Sequence, residues 1–126
     1  SLHESGNYSG NSDGDTDRPP PQATLNLALP ERSGPEEALT AWDTTGGQAL
    51  DAFKPEFIFI SAGFDARKGD PLGGLNWEDE TYVELTQRVM ALAEKHAQGR
   101  IVSVLEGGYN PEGLVSAALA HVRAMQ

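Results

Sequence analysis

Residues 57–60 read Phe57-Ile58-Phe59-Ile60, and residues 101–105 read Ile101-Val102-Ser103-Val104-Leu105. Both runs are almost entirely apolar and rich in β-branched side chains, the pattern of parallel strands buried on both faces of a sheet. The segment between them is long enough for a crossover helix. Such a crossover brings both strand ends to one edge of the sheet, the edge where open α/β folds bind ligands. We therefore predict that Asp65 and Tyr109, which follow the two strands, meet at one crevice.

A first helix is predicted between the N-terminal region and the first of these strands. Ser33 is the predicted N-cap, with Glu36 three residues on, and apolar residues continue at helical spacing to Phe53. Gly46-Gly47 interrupts this pattern. Two adjacent glycines cost about 1 kcal/mol each relative to alanine inside a helix, so we expect a weakened or kinked helix there.

Two further helices follow the apolar strands. The second is predicted to start at Asn76 as N-cap and to end at Gly99. The third opens with Asn110 as N-cap and Pro111 as the first helical residue, and its apolar positions continue through Val122 to Met125. Strands and helices therefore alternate along the second half of the chain.

The full order of predicted elements is β-loop-β-α-β-α-β-α, which indicates an α/β fold with one parallel sheet and flanking helices. The N-terminal part contains a long Gly- and Pro-rich loop over residues 4–22 and a short strand over residues 24–29. With 126 residues, 38% of them hydrophobic, the chain is one domain or a piece of one.

Charge and composition exclude several classes of partner. The formal net charge is −10, so no basic surface exists to neutralise phosphates, and we expect no nucleic-acid partner. Cysteine is absent, which excludes disulfides and a cysteine-based metal site. No apolar run approaches the length of a membrane span. We therefore expect no membrane partner and a cytoplasmic location.

Asp65 and Tyr109 have side chains that can bind a metal ion and donate a hydrogen bond, respectively. A catalytic zinc takes three protein ligands and keeps one position open, and the Asp65 carboxylate can be one of those ligands. The alternative is a turn residue after a strand, where Asp is common. The Tyr109 hydroxyl can stabilise a tetrahedral oxyanion, or the ring can simply pack over the strand end. Gly107 and Gly108 let the backbone approach a bound substrate closely.

Three motifs occur in a fixed order, with a helix of suitable length before the last. They are Ser61-Ala62-Gly63-Phe64-Asp65-Ala66, Gly69-Asp70-Pro71-Leu72-Gly73 and Leu105-Glu106-Gly107-Gly108-Tyr109-Asn110. Together they resemble the zinc-dependent deacetylase family of histone deacetylases and acetylpolyamine amidohydrolases. The resemblance is closer to the class II and bacterial members of that family. The resemblance spans essentially the whole chain but only the C-terminal part of that family's catalytic domain. It implies an arginase/deacetylase-like fold and a partial domain over residues 1–126.

The resemblance also implies roles for single residues. It makes Asp65 a zinc ligand and Tyr109 the tyrosine that stabilises the transition state. Leu72 matches a position that lines the family's acyl-lysine tunnel, and Tyr8 resembles the aromatic residue on the opposite wall. Arg67 stands where bacterial relatives often have histidine, and we expect a solvent-facing loop arginine there.

Ser1 and Leu2 match residues that bind a structural potassium ion through hydroxyl and carbonyl oxygens. The other two zinc ligands of the family come from an Asp-x-His segment that these residues do not include. His3 lies at the start of the chain, while His96 and His121 fall in the late turns of helices, where we expect a helix-dipole or surface role.

Two functions follow from these predictions. In the first, the chain is the C-terminal portion of a zinc-dependent deacetylase that hydrolyses acetyl-lysine or a similar acylated amine. It is inactive alone, because two zinc ligands and the histidine base are not encoded in it, and its partner is the missing N-terminal half. In the second, it is a non-catalytic, truncated deacetylase-like protein that self-associates through an exposed sheet edge or exposed apolar faces.

Overall fold

The computed structural model of the chain describes residues 1–4 and 24–126. Its elements in chain order are β1 (Leu2–Glu4), β2 (Leu27–Leu29), α1 (Pro35–Ala41), a π-helical segment (Trp42–Gly46), α2 (Gly47–Phe53), β3 (Ile58–Ala62), α3 (Asp79–Ala97), β4 (Ile101–Leu105) and α4 (Pro111–Ala124). The predicted 4–22 loop lies outside the described residues except for Glu4, which ends β1. None of the described helices is long and apolar enough to cross a membrane.

The strands pair in parallel, as predicted. β3 pairs with β4, with Ile58 opposite Ile101, and β1 pairs with β2, with Leu2 opposite Leu27. Within residues 1–4 and 24–126 these are two separate two-stranded pairs, whereas we had predicted one continuous sheet. Each pair therefore has edges whose backbone groups meet no further strand in the described part of the chain.

Helices cover one face of the β3–β4 pair. Ile58 is buried in a cluster with Ala93 and Ala97 of α3. Ala62 belongs to a second core cluster that includes Ala117 of α4. Because side chains alternate along a strand, every second residue of β3 points toward these helices.

The opposite face of the same pair is exposed in the described part of the chain. Phe59 is 73% exposed, Val102 and Val104 are also exposed, and the rings of Phe57 and Phe59 pack against each other at a tilt of 31°, with centroids 4.7 Å apart. The prediction that both strands are buried on both faces is therefore wrong for the described residues. Burial alternates along β3, as it does in a sheet that is covered on one side.

The start of α1 differs from the prediction by one residue. Gly34 is the N-cap, and its N–H donates to Glu37 Oε2 at 2.9 Å. The hydroxyl of Ser33 donates to the carbonyl of Pro30 at 2.7 Å instead of capping the helix. The serine therefore stabilises the turn before the helix, because that carbonyl lies within reach of the side chain.

The two glycines Gly46 and Gly47 make room for the indole of Trp42. A Cβ on Gly46 would lie 3.4 Å from Trp42 Cε3, and one on Gly47 would lie 2.9 Å from Trp42 Nε1. The predicted interruption takes the form of a π-helical segment that joins α1 to α2. Such segments occur as single-turn bulges inside α-helices. The glycines therefore lower helix propensity and, in exchange, let a large side chain pack on the backbone.

The start of α3 also lies later than predicted. Its N-cap is Glu78, whose N–H donates to Thr81 Oγ1 at 3.1 Å. Asn76, the predicted cap, donates its side-chain amide to the carbonyl of Arg32 at 3.2 Å. Asn76 thus connects the segment before α3 to the segment before α1, a contact that local sequence does not reveal.

The start of α4 agrees with the prediction. Asn110 Oδ1 accepts a hydrogen bond from the N–H of Gly113 at 3.2 Å, and Pro111 is the first helical residue. Val122, which we had placed on the apolar side of this helix, is exposed, and His121 beside it is buried. The packed side of α4 is therefore turned by about one residue from the predicted one.

Candidate active site

Asp65 lies just past the end of β3, and the pairing with β4 continues beyond both strands. The N–H of Glu106 donates to the carbonyl of Ala62 at 3.0 Å, and the N–H of Phe64 donates to the carbonyl of Gly107 at 2.8 Å. The segments that follow the two strands are therefore held side by side, as the crossover argument predicts. Asp65 and Gly107 become neighbours at the same edge.

Gly107 and Gly108 have separate steric reasons to be glycine. A Cβ on Gly107 would overlap the carboxylate of Asp65, with only 2.8 Å to Asp65 Cγ. Gly108 has φ = 134°, which L side chains rarely adopt, and its Cβ would lie 2.9 Å from Leu114 Cδ1 and 3.1 Å from Phe64 Cβ. Both glycines thus make room for the residues around Asp65. Their contact with a substrate stays a prediction.

Three aromatic rings pack together in the core cluster next to Asp65. Phe64 is 3% exposed, and its ring centroid lies 5.1 Å from that of Tyr82, which in turn lies 5.5 Å from that of Trp77. Burial raises the pKa of the Tyr82 hydroxyl far above its ordinary value. This hydroxyl and the indole N–H of Trp77 have no hydrogen-bond partner among the described residues.

The Asp65 carboxyl is in an environment that disfavours its negative charge. Burial raises its pKa above the ordinary value, and the nearby charges of Asp70 and Glu106 raise it further, while backbone hydrogen bonds partly oppose the rise. A cation beside Asp65 would reverse this effect, because an opposite charge favours the ionised carboxylate. The electrostatics of Asp65 are therefore those of a carboxylate that has no positive partner among the described residues.

Tyr109 lies at the same edge as Asp65, with its side chain 53% exposed. Its backbone N–H donates to Asp70 Oδ2 at 2.7 Å. The backbone is therefore anchored while much of the ring is open to solvent. The structure confirms that the two strand ends converge, and the catalytic role of the Tyr109 hydroxyl stays a prediction.

A cleft of about 670 Å³ collects several of the predicted site residues. Its lining includes β1, β3, the inner side of α3 and the segments that follow β3 and β4. The predicted site residues in its lining are Ser1, Leu2, Asp65, Leu72 and Gly107. Of the other site residues, Gly108 and Tyr109 lie outside this lining, and Tyr8 lies outside the described residues. Leu72 is 65% exposed, as a residue in the wall of an open cleft would be.

Ser1 and Leu2, the predicted potassium ligands, belong to the β1 side of this cleft. The carbonyl of Ser1 accepts a hydrogen bond from the N–H of Leu27 at 2.8 Å, and Leu2 pairs with Leu27 in the β1–β2 ladder. The Ser1 hydroxyl lies 3.3 Å from His3 Nδ1. These contacts explain the local structure, and potassium binding stays a prediction.

Arg67 has a structural role that the sequence analysis missed. Its Nε donates to Asp79 Oδ1 at 2.7 Å, and a second guanidinium nitrogen lies 3.4 Å from Asp79 Oδ2. Asp79 Oδ1 also accepts from the hydroxyl of Ser116 at 3.2 Å. The expectation of a solvent-facing arginine is therefore wrong, because this two-point pair holds the loop after β3 to α3 and α4.

His121 is buried between two helices and a strand, whereas a surface or helix-dipole role had been predicted. Its Nδ1 lies 2.6 Å from Thr86 Oγ1 on α3, and its Nε2 lies 2.8 Å from Ser103 Oγ on β4. The Thr86 hydroxyl donates to the carbonyl of Tyr82 at 2.5 Å. It therefore accepts from Nδ1–H, which leaves Nε2 to accept from Ser103. Burial lowers the pKa of His121 below its ordinary value.

The described residues supply only part of a zinc site. Within residues 1–4 and 24–126, no group of three or more His, Cys, Asp and Glu side chains is placed to hold a metal ion. A catalytic zinc needs three protein ligands, and Asp65 can supply one of them. Zinc is therefore an expectation at the level of the family.

Comparisons with known proteins agree with this geometry. The family model described as "Histone deacetylase domain" matches residues 1–125. The chain is 43% identical over 90 residues to a probable deacetylase of Archaeoglobus fulgidus, which covers 71% of this chain and 25% of that protein. It is 36% identical over 114 residues to a histone deacetylase-like amidohydrolase of Pseudomonas aeruginosa, which covers 87% of this chain and 30% of that protein.

A solved structure shows the same fold. The crystal structure of the HDA15 HD domain is similar with a TM-score of 0.75 at 28% identity, over 98% of this chain and 35% of that chain. This similarity confirms the predicted deacetylase-like α/β fold. The chain spans less than a third of the length of each of these two curated relatives. Its sequence and its fold together show that the chain belongs to the histone deacetylase family.

Proposed function

We propose that the chain is the C-terminal portion of the catalytic domain of a zinc-dependent deacetylase that hydrolyses acetyl-lysine-like amides. The observation that carries this proposal is the position of the Asp65 carboxylate. It lies against Gly107, at the shared end of two parallel strands, and lines an open cleft. The Tyr109 loop follows Gly107 at the same edge, so a metal ligand and a hydroxyl donor come from adjacent segments.

Each residue then has a distinct role. Asp65 supplies one carboxylate ligand, and the two other zinc ligands and a general-base histidine come from outside this chain. Zinc, when bound, polarises the amide carbonyl and activates a water molecule. The Tyr109 hydroxyl donates a hydrogen bond to the oxyanion as its charge develops. Leu72 forms an apolar wall for the methylene chain of an acylated lysine, and the resemblance assigns the opposite wall to Tyr8, which lies outside the described residues.

Four further residues have supporting roles in the proposal. Gly107 and Gly108 keep the backbone at the end of β4 close to the substrate. Ser1 and Leu2 hold a structural potassium ion through the hydroxyl and carbonyl oxygens that the resemblance assigns to them. The partner of the chain is the polypeptide that supplies the remaining zinc ligands.

A chimeric enzyme tests this function. The matched segment of the Pseudomonas aeruginosa amidohydrolase is replaced by this chain, and hydrolysis of an acetyl-lysine peptide is measured with zinc present. We expect turnover that Asp65→Ala abolishes and that Tyr109→Phe lowers about 100- to 1,000-fold, since one oxyanion donor is lost. Glu80→Gln is the control, because it removes an exposed carboxylate in the first turn of α3.

The chain by itself is the second arm of the same experiment. We expect weak zinc binding and no turnover, because the chain contributes one zinc ligand of the three required. Turnover by the isolated chain that is abolished by a chelator and by Asp65→Ala would contradict the claim that the site is incomplete. A folded, zinc-loaded chimera that does not hydrolyse the peptide would contradict the proposed function.

The exposed face of the β3–β4 pair supports a second candidate function, that of a non-catalytic, self-associating protein. Phe59, Val102 and Val104 are exposed together on this face, and contiguous apolar surface of this kind marks association sites. In this case a second copy of the chain covers the face. An inactive chimera combined with a stable dimer of the isolated chain would favour this candidate over the first.

A further inference from the structure

One carboxylate, that of Asp70, joins the two loops that carry the predicted site residues. Its Oδ1 accepts hydrogen bonds from the backbone N–H groups of Leu72 at 2.8 Å and Gly73 at 3.0 Å. Its Oδ2 accepts from the backbone N–H groups of Tyr109 at 2.7 Å and Asn110 at 3.3 Å. The second pair of donors is 39 and 40 residues away in sequence.

The two carboxylate oxygens of Asp70 bind different parts of the chain. The bonds from Leu72 and Gly73 form a local turn in which an Asp side chain accepts from the backbone two and three residues on. The bonds from Tyr109 and Asn110 are tertiary contacts. Although burial opposes it, the four N–H donors together hold the pKa of the Asp70 carboxyl below its ordinary value. Hydrogen bonds to such an ionised acceptor are about twice as strong as neutral ones.

A second contact supports the same junction. The side-chain amide of Asn110 donates to the carbonyl of Gly69 at 3.0 Å, while Asn110 Oδ1 caps α4. Tyr109 therefore lies between two constrained residues. Gly108 has a positive φ, and Asn110 is bound both to α4 and to the Asp70 loop. The backbone on each side of Tyr109 is constrained, and Asp70 is the group that connects it to the Leu72 wall.

We propose that Asp70 is a positioning residue that fixes the separation between the Tyr109 loop and the cleft wall formed by Leu72. This inference rests on the proposed function, in which Tyr109 is the oxyanion donor and Leu72 a wall for the acyl-lysine chain. Asp70 acts through the backbone of both loops. The donor and the wall are thus set relative to each other by a single side chain.

Hydrogen exchange followed by NMR tests this inference in the chain itself. In Asp70→Ala we expect the amide protons of Leu72, Gly73, Tyr109 and Asn110 to exchange about tenfold faster or more, because each loses a charged acceptor. The amide protons of Phe64 and Glu106, which are bonded across the ends of β3 and β4, should keep their rates. The change is therefore expected to be local to the two loops.

Asp43→Ala is the matched control. It removes a carboxylate that is bound at two points to Arg88 of α3 and that lies outside both loops, so the four loop amides should keep their rates. Unchanged rates at Tyr109 and Leu72 in folded Asp70→Ala would overturn the proposal. Equal acceleration of the loop amides and of Phe64 and Glu106 would overturn it as well, since that pattern reports general destabilisation.

The unaltered chain supplies an independent measurement if Asp70→Ala does not fold. Leu72 and Tyr109 are both exposed residues, and their amide protons should nevertheless be protected because Asp70 accepts from them. Unprotected amides at both positions would overturn the proposal. These measurements require neither zinc nor substrate. If amide protection depends on Asp70 but the chimera is inactive, the proposed function is refuted while the structural role of Asp70 remains.

Discussion

The β3–β4 pair has one face packed by helices and one face exposed in the described part of the chain, although both faces are apolar. On the packed side, Ile58 and Phe64 belong to core clusters. On the other side, Phe59 and Val104 are exposed. Apolar sequence therefore does not decide burial by itself. The path of the connecting chain decides it, because α3 and α4 pack on each other over the same face.

The two faces also differ in the environment of the polar side chains that they contain. The packed side encloses His121, whose two ring nitrogens contact Thr86 on α3 and Ser103 on β4. The exposed side carries aromatic and aliphatic residues together with Ser61, whose side chain is exposed to solvent. A polar side chain is tolerated in the packed layer because both of its hydrogen-bonding atoms have partners. Substitutions on the packed face should therefore change the free energy of unfolding, whereas substitutions on the exposed face should change association.

The largest expected difference is between Phe64→Ala and Phe59→Ala. Phe64 is 3% exposed and Phe59 is 73% exposed. Phe64→Ala should lower the free energy of unfolding by about 3–5 kcal/mol, since it leaves a cavity in the core. Phe59→Ala should change it by no more than about 0.5 kcal/mol. Urea denaturation of the two variants at low protein concentration measures both values, and equal losses would show that the two faces are equally buried.

His121 should make the packed face sensitive to pH. Its pKa is lowered by burial from 6.5, so the unfolded chain binds a proton more readily than the folded one. The contribution of His121 is then fully present above about pH 6.5 and is lost as the pH falls toward the lower folded pKa. We expect the free energy of unfolding to decrease between pH 7.5 and pH 5.5.

His121→Leu separates this contribution from the others. It should lower the free energy of unfolding at pH 7.5 by about 1–3 kcal/mol, because the hydroxyl of Ser103 loses its buried partner. It should also remove the His121 part of the pH dependence. His96→Gln is the control, since His96 contacts Asp51 near the surface, and this variant should keep the decrease. An unchanged pH profile in His121→Leu would refute the assignment to His121.

The smallest effect on folding, but a measurable one on association, is expected for Phe59→Thr. We expect the unaltered chain to form dimers or higher oligomers through the exposed face. Burying one Phe side chain contributes about 1.5–3 kcal/mol, so Phe59→Thr should raise the dissociation constant about tenfold or more. Light scattering at micromolar concentrations measures this. A strictly monomeric, cooperatively folded wild-type chain would show that the exposed face needs no covering.

Much of the site could be predicted from short stretches of sequence, and some of it could not. The Asn110-Pro111 start of α4 follows from cap chemistry within four residues, so the prediction is correct. Ser33 and Asn76 were wrong as caps because a short polar side chain bonds whichever backbone group lies nearest, and the loops decide which one that is. For His121 a signal existed, since it lies eight residues after Gly113 on the buried side of α4.

The hydrogen bonds of Asp70 likewise depend partly on local sequence and partly on tertiary structure. Its bonds to Leu72 and Gly73 follow from an Asp-Pro turn that the sequence displays. Its bonds to Tyr109 and Asn110 depend on how the two loops meet after the parallel strands. Similarly, the pair between Arg67 and Asp79 joins a loop to a helix start, and no spacing rule predicts it.

The sequence by itself determined the parallel strands, the alternation with helices and the placement of Asp65 and Tyr109 at one edge, because strand periodicity and crossover geometry are local and directional rules. Only the tertiary structure decided which strand face is covered, why Gly107 must lack a side chain, and how one carboxylate at Asp70 binds the backbone of both loops. Those outcomes depend on contacts between segments far apart in sequence, and such contacts leave no periodic signal in the chain.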